Sequence, residues 1–289
     1  MFAESMTIGD AIAWGTSLLD ESDSIPAARS RSDAILLLRH VLGIPHAEMY
    51  AYRERPLTAL QTEAFNAALQ HRLLGMPVQY ITGEQEFFGL ALHVTQDVLI
   101  PRPETEHLVE AAIERLKDLP TARIADVGTG SGAIAIALAH SLPTAEVTAL
   151  DICPAALAVA AENAKHHGVA ERVRLLESNL LEAVADEQFD AIISNPPYVA
   201  DSERNLLPVE VREYEPGQAL FAGATGLEMY QQLIPAALRL LKAGGWVMME
   251  MGQGQRDVVR GFLSNAEWAD VEFIADLQGI PRVAVARKR

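Results

Sequence analysis

The sequence contains few of the residues and segments on which several classes of protein depend. Its one cysteine, Cys153, excludes an intramolecular disulfide, and neither Cys153 nor the 8 histidines fall in a spacing typical of a metal site. No uninterrupted apolar run approaches the roughly 20 residues that a transmembrane helix requires. We therefore expect a cytoplasmic protein that binds no metal and contacts no membrane.

Basic residues are also scarce relative to acidic ones. The 289-residue chain has 23 lysines and arginines against 39 aspartates and glutamates, which gives a formal charge of −16. Because such a charge repels phosphate backbones, a direct nucleic-acid partner is disfavoured. Residues 1–10, MFAESMTIGD, lack the basic start and apolar core of a secretory signal, so we expect none.

Apolar residues, in contrast, are plentiful enough for a large core, at 49% of the chain against 21% charged residues. Helical periodicity marks the stretch SDAILLLRHVLG, which is predicted to end at Gly43. It also marks TALQTEAFNAALQHRLLG, with Thr58 as the predicted N-cap and Gly75 as the predicted end. These patterns predict an all-helical N-terminal domain over residues 1–83.

The pattern changes twice after this domain. Residues 84–103 include EFFGLALHVTQDVLIP, whose alternating apolar residues predict a β-hairpin linker. Residues 104–289 alternate helices with short apolar strands, which are ARIADV, EVTAL, RVRLLES, FDAIIS, WVMMEM, VEFIAD and RVAVA. This alternation predicts an α/β fold with a doubly wound sheet, which places its ligands at the carboxyl ends of the strands.

A glycine-rich turn, DVGTGSG at residues 126–132, follows the first of these strands and opens a helix. Its glycines let the backbone turn sharply, and the helix N-terminus is expected to offer unpaired N–H groups to an anion. The turn has neither the lysine of a triphosphate P-loop nor the spacing of an NAD site. Asp151 ends the second strand, where a carboxylate can accept ribose hydroxyl protons. Taken alone, a tight connection explains the glycines and a helix cap explains Asp151.

Together, the turn and the acid resemble the first motif of Rossmann-like S-adenosylmethionine (AdoMet) methyltransferases. The resemblance implies AdoMet as the cofactor, S-adenosylhomocysteine as the product, residues 126–132 at the methionine end and Asp151 at the ribose. The cofactor-binding residues implied in the turn are Gly128, Thr129, Gly130, Ser131 and Gly132. At the end of the third strand, in SNLL, it implies Asn179 and Leu180 as adenine contacts, although a plain turn explains Asn179 equally well.

The stretch SNPPYV, residues 194–199, ends the strand FDAIIS with two prolines. Each proline fixes its own φ and biases the preceding residue toward extended backbone, so Asn195 and Pro196 are predicted to form a stiff turn. The side-chain oxygen of Asn195 and the carbonyl oxygen of Pro196 can then accept both protons of one planar NH2 group. Such a grip orients the nitrogen and stabilises the positive charge that develops on it. A simple strand terminator is the alternative interpretation.

Asn-Pro-Pro-Tyr resembles the fourth motif of methyltransferases that act on planar nitrogens, either glutamine side chains of proteins or adenine N6 of nucleic acids. The resemblance implies four catalytic residues, which are Asn195, Pro196, Pro197 and Tyr198. We expect Tyr198 to pack on the plane of the substrate amide, and we expect Asn195 to contact the cofactor as well. The motif alone does not separate glutamine from adenine.

Two longer stretches favour protein glutamine over adenine as the substrate. PVQYITGEQEFFGLALHVTQDVLIPRPETEHLVE, at 77–110, and LPVEVREYEPGQALFAGATGLEMYQQLI, at 207–234, closely resemble the bacterial release-factor glutamine methyltransferases. That family methylates N5 of the glutamine in the Gly-Gly-Gln motif of class 1 peptide-chain release factors. The resemblance implies a release factor as the partner, recognised by the helical domain. The related ribosomal protein L3 glutamine methyltransferases, which usually depart from IPRPETE at 100–106, and nucleic-acid adenine-N6 methyltransferases stay open as alternatives.

Some residues of these stretches allow two interpretations. Thr105 is expected to cap the helix EHLVEAAIERLKDL. Arg102 forms either a surface ion pair or a polar wall of the site, and Phe87 and Phe88 belong either to the core or to a lid. The family's sheet has seven strands with the last one antiparallel, and RVAVA is expected to supply that strand.

Overall fold

The computed structural model describes residues 6–22 and 25–289. The chain forms two compact units, of which the first comprises the residues up to Gly83 together with Pro208–Tyr214. The second comprises Glu84–Leu207 and Glu215–Arg289. Residues 1–5 lie outside the described residues. They are the start of the predicted helical domain and the first half of the ten residues from which we expect no secretory signal.

Helices make up the N-terminal part of the first unit. They are α1 (Ile8–Asp20), α2 (Ala27–Leu42), α3 (His46–Ala51), α4 (Ala59–Leu73) and α5 (Val78–Thr82). Capping boxes begin α1 at Thr7 and α4 at Thr58, and each satisfies backbone N–H groups that the helix itself leaves free. Gly43 ends α2 with a left-handed φ of 62°. The predicted cap at Thr58 and the predicted helix end at Gly43 are confirmed.

A hairpin opens the second unit. Its strands β1 (Glu84–Phe87) and β2 (Leu90–His93) are antiparallel. Phe88 and Gly89 form the two-residue turn, with φ values of 53° and 74°, and positive φ at both positions suits the twist of a tight hairpin. The predicted hairpin is confirmed.

Helices and strands alternate through the rest of the chain. Before residue 208 they are α6 (Glu106–Leu116), β3 (Arg123–Val127), α7 (Ala133–Ser141), β4 (Glu146–Asp151), α8 (Pro154–His166), β5 (Val173–Glu177) and β6 (Phe189–Ser194). Next comes α9 (Val209–Tyr214), which belongs to the first unit. The second unit then continues with α10 (Gly217–Leu220), α11 (Glu228–Leu240), β7 (Leu241–Glu250), α12 (Arg256–Phe262), β8 (Trp268–Ala275) and β9 (Pro281–Lys288). Each predicted strand is present.

Within the described residues, β3 to β9 form one seven-stranded sheet in the order β5-β4-β3-β6-β7-β9-β8. The strands β3 to β7 pair in parallel, whereas β9 is antiparallel to both β7 and β8. Because β3 pairs with β4 on one side and β6 on the other, the strand order reverses there, and the carboxyl ends of these strands frame a crevice. The predicted Rossmann-like sheet with an antiparallel last strand is confirmed.

Apolar cores cover both faces of this sheet. Alternate residues of β3 point to opposite faces, so Ile124 packs into one core, which α6 and α7 complete, and Ala125 packs into the other, which α11 and α12 complete. Phe87 belongs to the first of these cores and is 1% exposed, and the partly buried side chain of Phe88 packs against that core. The core interpretation of Phe87 is therefore confirmed.

A buried ionic cluster ties the segment Pro208–Tyr214 to the helices of the first unit. The guanidinium of Arg72 is fully buried and donates to Asp33 Oδ2 at 2.8 Å and to Glu210 Oε2 at 2.9 Å. Its remaining nitrogen donates to the carbonyl oxygen of Met76 at 3.2 Å. A predicted domain that stops at residue 83 omits this segment, because ion pairs between residues 138 positions apart leave no local pattern in the sequence.

None of the helices in the part of the chain that the structure describes combines the length and the apolar character that a membrane crossing requires.

Candidate active site

A cavity of about 360 Å³ lies at the carboxyl ends of β3, β4, β5 and β6, and all the residues that line it belong to the second unit. Parallel strands bring their carboxyl ends to one edge of the sheet, so residues far apart in sequence meet there. The sequence-predicted site residues in its wall are Gly128, Thr129, Gly130, Ser131, Asp151, Asn179, Leu180, Asn195 and Pro197. Three others, Gly132, Pro196 and Tyr198, are not in this wall.

The glycines of the turn have two different roles. Gly128 and Gly130 adopt φ values of 74° and 55°, and a Cβ atom added to either would meet nothing within 4 Å. They therefore leave open space beside a backbone that faces the cavity. At Gly132, with φ 82°, a Cβ atom would lie 2.9 Å from Ile136 Cδ1 and 3.2 Å from Ala160 Cβ. Gly132 thus permits the close packing of α7 against α8.

The backbone N–H groups at the start of this turn are already hydrogen-bonded within the protein. Those of Gly128 and Thr129 donate to the carbonyl oxygen of Leu150, at 2.8 and 2.9 Å. The N–H of Gly130 donates to Asp151 Oδ2 at 2.9 Å. The end of β4 thus holds these three turn residues, which precede the N-cap of α7 at Gly132. The expectation of unpaired N–H groups at the helix N-terminus stays a prediction.

Asp126 lies beneath the turn, fully buried, and it is not part of the cavity wall that the resemblance implied for it. Its Oδ2 accepts from the hydroxyl of Thr129 at 2.6 Å and from the N–H of Ala135 at 3.2 Å, while Oδ1 has no partner in the described chain. Burial raises the pKa of this carboxyl to about 7, against the lowering effect of the two hydrogen bonds. Asp126 thus holds the turn against the start of α7.

Asp151 lies before α8 but is not its N-cap, because Cys153 occupies that position. Its Oδ1 accepts from the N–H of Cys153 at 2.9 Å, directly before α8, and its Oδ2 accepts from Gly130. Each carboxylate oxygen keeps a second lone pair, and the residue lines the cavity. The carboxylate can therefore brace the glycine turn and accept hydroxyl protons from a ligand at the same time.

The end of β5 forms another part of the cavity wall. Asn179 Nδ2 donates to Glu182 Oε1 at 2.9 Å, which agrees with its interpretation as a turn residue. Leu180 has a φ of 51°, which is rare for a leucine and costs on the order of 1–3 kcal/mol. Both residues also line the cavity, so the turn interpretation and the ligand interpretation are compatible here.

Asn195 begins a chain of side-chain hydrogen bonds at the end of β6. Its Nδ2 donates to Thr105 Oγ1 at 3.1 Å, and the Thr105 hydroxyl donates to Glu250 Oε2 at 2.5 Å. The hydroxyl of Tyr198 donates to the other oxygen, Glu250 Oε1, at 3.3 Å. Two residues of the Asn-Pro-Pro-Tyr segment therefore connect to one carboxylate at the end of β7. The segment itself is irregular, without the turn that the two prolines predict.

Glu250 and Gln255 both hydrogen-bond to Tyr198 of this segment through their side chains. Glu250 is 2% exposed, and burial raises the pKa of its carboxyl above the usual value. Gln255 Nε2 donates to the carbonyl oxygen of Tyr198 at 2.9 Å, and its Oε1 accepts from the N–H of Gly252 at 2.9 Å. Sequence reasoning missed both residues, although an acid that ends the strand WVMME was a signal for Glu250.

Two interpretations of the stretch IPRPETE are now decided. Thr105 occupies the predicted N-cap position of α6, but its side chain makes no capping hydrogen bond, because its hydroxyl is engaged with Glu250. Arg102 Nη2 donates to Glu215 Oε1 at 2.6 Å, which makes Arg102 an ion-pair partner rather than a wall residue. The pair anchors a segment whose Pro101 does line the cavity.

In the described residues, no group of three or more histidines, cysteines, aspartates and glutamates is arranged to hold a metal ion.

Comparison with known proteins gives matches at the level of both sequence and fold. Residues 10–83 match the family model described as the PrmC N-terminal domain, and residues 106–210 match the methyltransferase small domain. Among solved structures, the hMettl16 catalytic domain in complex with a 3′UTR hairpin has a TM-score of 0.59 at 18% identity, over 76% of this chain and 81% of that one. At that identity the likeness indicates the methyltransferase fold alone.

Sequence relatives match over nearly the full length. The release factor glutamine methyltransferase of Chlorobaculum tepidum is 47% identical over 263 residues, covering 87% of this chain and 88% of that protein. The one of Geobacter sulfurreducens is 40% identical over 284 residues, covering 98% of each. At this identity and coverage, the chain belongs to the release factor glutamine methyltransferase family.

Proposed function

We propose that this protein is an AdoMet-dependent enzyme that methylates N5 of the glutamine in the Gly-Gly-Gln motif of class 1 peptide-chain release factors. The observation that carries the proposal is the position of Asn195 in the cavity wall, with its NH2 group engaged by Thr105. This leaves the side-chain oxygen as the atom that can accept from a substrate amide. The proposal agrees with the names of the relatives at 40% and 47% identity.

The cavity fits the cofactor that the family uses. Gly128 and Gly130 leave space that any Cβ atom would fill, and Asp151 offers carboxylate lone pairs on the neighbouring strand. We assign the turn, Gly128 to Ser131, to the methionine end, Asp151 to the ribose, and Asn179 and Leu180 to the adenine. When bound, AdoMet supplies an electrophilic methyl group on a sulfonium.

Asn195 and Pro196 supply the chemistry on the substrate side. A carboxamide nitrogen is a weak nucleophile because its lone pair is delocalised into the carbonyl. Two acceptors, Asn195 Oδ1 and the carbonyl oxygen of Pro196, would hold both N–H protons, orient the nitrogen and stabilise the positive charge that develops on it. Pro196 and Pro197 lack N–H groups, so no neighbouring backbone donor competes for these acceptors.

Tyr198 has a second role in this proposal. We expected its ring on the plane of the substrate amide, yet it is partly buried and packs against an apolar core. Its hydroxyl donates to Glu250 and its carbonyl oxygen accepts from Gln255. We therefore assign Tyr198 chiefly to the support of the Asn-Pro-Pro-Tyr segment, with ring contact to the substrate as a further prediction.

The partner and the compartment follow from the same proposal. We assign recognition of the release factor to the helical domain over residues 1–83, with residues 84–103 as linker and 104–289 as the catalytic part. The formal charge of −16 favours basic patches on a protein partner and disfavours nucleic acid as the substrate. Release factors act at the ribosome, so we place the enzyme in the cytoplasm.

One labelling experiment tests the function. Wild-type protein is incubated with radiolabelled AdoMet and, separately, with unmodified release factor, its Gln→Ala form, ribosomal protein L3 and adenine-containing DNA. Asn195→Ala serves as the inactive variant, and Asn205→Ala, which replaces an exposed asparagine outside the cavity, serves as the matched control. We expect label on the unmodified release factor with wild type and Asn205→Ala. Label on L3 or DNA instead would assign the enzyme to one of the alternative substrates.

A further inference from the structure

We propose that Thr105 and Glu250 are positioning residues that fix the side-chain amide of Asn195 with its oxygen toward the substrate. The site thereby selects a substrate group that donates hydrogen bonds over one that accepts them. The inference rests on the proposed function, because it takes Asn195 as the residue that grips the substrate nitrogen.

The orientation of Asn195 follows from a count of protons. A threonine hydroxyl has one proton, and an ionised carboxylate can only accept. Because Thr105 Oγ1 lies 2.5 Å from Glu250 Oε2, an ionised Glu250 carboxylate engages the Thr105 proton. The Thr105 oxygen can then only accept from Asn195, 3.1 Å away, so the atom of Asn195 that faces Thr105 must be Nδ2.

The second oxygen of Glu250 is also engaged. Oε1 accepts from the hydroxyl of Tyr198 at 3.3 Å. The nearby hydroxyl of Tyr230 lies 3.0 Å from the backbone carbonyl oxygen of Glu250, so it does not compete for the carboxylate. Both carboxylate oxygens thus accept from hydroxyl donors, which stabilises the ionised form against the burial that raises the pKa of Glu250.

The Oδ1 end of the Asn195 amide is the end left for a ligand of the cavity. In residues 6–22 and 25–289, Asn195 Oδ1 forms no protein hydrogen bond, and Asn195 lines the cavity. An oxygen there attracts an N–H group and repels another carbonyl or carboxylate oxygen. Glutamine and glutamate have nearly the same shape, but only glutamine offers NH2 protons. A site with this fixed polarity therefore discriminates between them by charge and hydrogen bonding, not by size.

Protonation of Glu250 is expected to reverse the polarity. A protonated carboxyl can donate to Thr105, whose own proton is then free to turn toward the side-chain amide of Asn195. This favours the flipped amide, in which Asn195 Oδ1 faces Thr105. Burial raises the pKa of Glu250, and the hydrogen bonds from Thr105 and Tyr198 lower it. The titratable and charged groups that also act on this carboxyl or lie beside it are Glu104, Arg282, Tyr198 and Tyr230.

The test compares variants that change the donors and acceptors in the hydrogen-bond chain from Asn195 to Glu250 but change the shapes of the side chains little. Thr105→Val removes the hydroxyl, Thr105→Ser keeps it, and Glu250→Gln replaces an acceptor with a group that can donate. Thr148→Val is the matched control, because Thr148 is a buried threonine of the same sheet outside this cavity. Circular dichroism confirms that each variant folds.

Kinetics provide the first measurement, with release factor as the substrate and its Gln→Glu form as a competitive inhibitor. We expect Thr105→Val and Glu250→Gln to lower kcat by about 10- to 100-fold, the cost of a misplaced reacting group. We also expect both to shrink the ratio of the inhibition constant to KM, whereas Thr105→Ser keeps most of the activity. A loss of folded protein lowers kcat but leaves that ratio unchanged. If Thr105→Val and Glu250→Gln both discriminate between the Gln and Glu forms as strongly as wild type does, the proposal is overturned.

NMR of the Asn195 side-chain NH2 protons gives a measurement that does not depend on catalysis. We expect one protected proton in wild type and Thr105→Ser, and loss of that protection in Thr105→Val and Glu250→Gln. Identical spectra in all four proteins would overturn the positioning role. If wild type shows the protected proton but transfers no methyl to release factor, the proposed function fails and the positioning of Asn195 stands.

Discussion

The side-chain nitrogen of Asn195 lies 3.1 Å from the hydroxyl oxygen of Thr105, a residue 90 positions earlier in the chain. The pair joins the end of β6 to the short turn that precedes α6. Through Thr105 the contact extends to Glu250 at the end of β7, so three separate segments fix one amide group. The two prolines restrict the backbone that follows Asn195, and the partner of its NH2 group sets which end of the amide faces Thr105.

Tyr198→Phe removes one of the two hydroxyls that donate to the carboxylate of Glu250. We expect kcat to fall by less than about 10-fold, because a neutral hydrogen bond contributes about 0.5–1.5 kcal/mol and the Gln255 contact to the backbone remains. Steady-state kinetics with release factor provides the measurement. A loss as large as that of Asn195→Ala would contradict a supporting role and indicate direct contact between the hydroxyl and the substrate.

Asp126 is expected to make the free energy of unfolding fall as pH rises. The ordinary pKa of an aspartate is 3.8, and the pKa of Asp126 in the fold is about 7. Between these values the folded state binds more protons than the unfolded state. Its contribution is therefore most favourable below pH 3.8 and is lost as pH rises to about 7; the shift corresponds to about 4 kcal/mol.

Urea unfolding across this pH range, compared between wild type and Asp126→Asn, tests that prediction. The difference in unfolding free energy between the two proteins should change with pH in favour of the variant as pH rises. A difference that is independent of pH would show that Asp126 ionises at its ordinary pKa despite its burial.

Substitutions of two glycines in the turn are expected to affect stability and ligand binding to different extents. Gly132→Ala brings a Cβ atom to 2.9 Å from Ile136, so we expect a loss of stability of about 1–3 kcal/mol from overpacking, in addition to backbone strain. Gly130→Ala meets open space and is expected to cost less stability but to weaken AdoMet binding. Thermal unfolding and calorimetric titration with AdoMet measure the two effects. Equal effects of both substitutions on binding would contradict the assignment.

Glu210→Ala should destabilise the first unit, because it leaves the buried guanidinium of Arg72 with one carboxylate instead of two. Removal of one partner of a buried ion pair costs about 3–5 kcal/mol. Hydrogen exchange of the amides in α2 and α4 measures the loss of protection. Glu213→Ala, in the same segment, is the control, since Glu213 is exposed and pairs with its neighbour Arg212. Equal protection in both variants would contradict the role of the cluster.

Much of the fold was predictable because its signals are local. Thr58 and Gly43 mark helix ends by side-chain capping and by a left-handed backbone, both of which depend on neighbouring residues. Short apolar runs between helices sufficed to predict every strand of the seven-stranded sheet in the described chain. The glycine turn, Asp151 and Asn195 lie in one cavity because parallel strands align their carboxyl ends.

The contacts that the sequence did not reveal join distant segments. Thr105 and Glu250 are 145 positions apart, and either residue alone has an ordinary local explanation as a cap or a strand end. The N–H groups of Gly128 to Gly130 donate to Leu150 and Asp151 on the adjacent strand, partners that the local sequence does not indicate. Such partners depend on how the strands dock, which no local pattern specifies.

Mass spectrometry of the peptide that carries the Gly-Gly-Gln motif tests the central claim most directly. Unmodified release factor is incubated with AdoMet and either the wild-type protein or its Asn195→Ala variant, and the peptide is then fragmented. We predict one added methyl group, located on the glutamine side chain, with wild type and none with the variant. An unmodified glutamine after reaction with folded, AdoMet-binding wild-type protein would contradict the account.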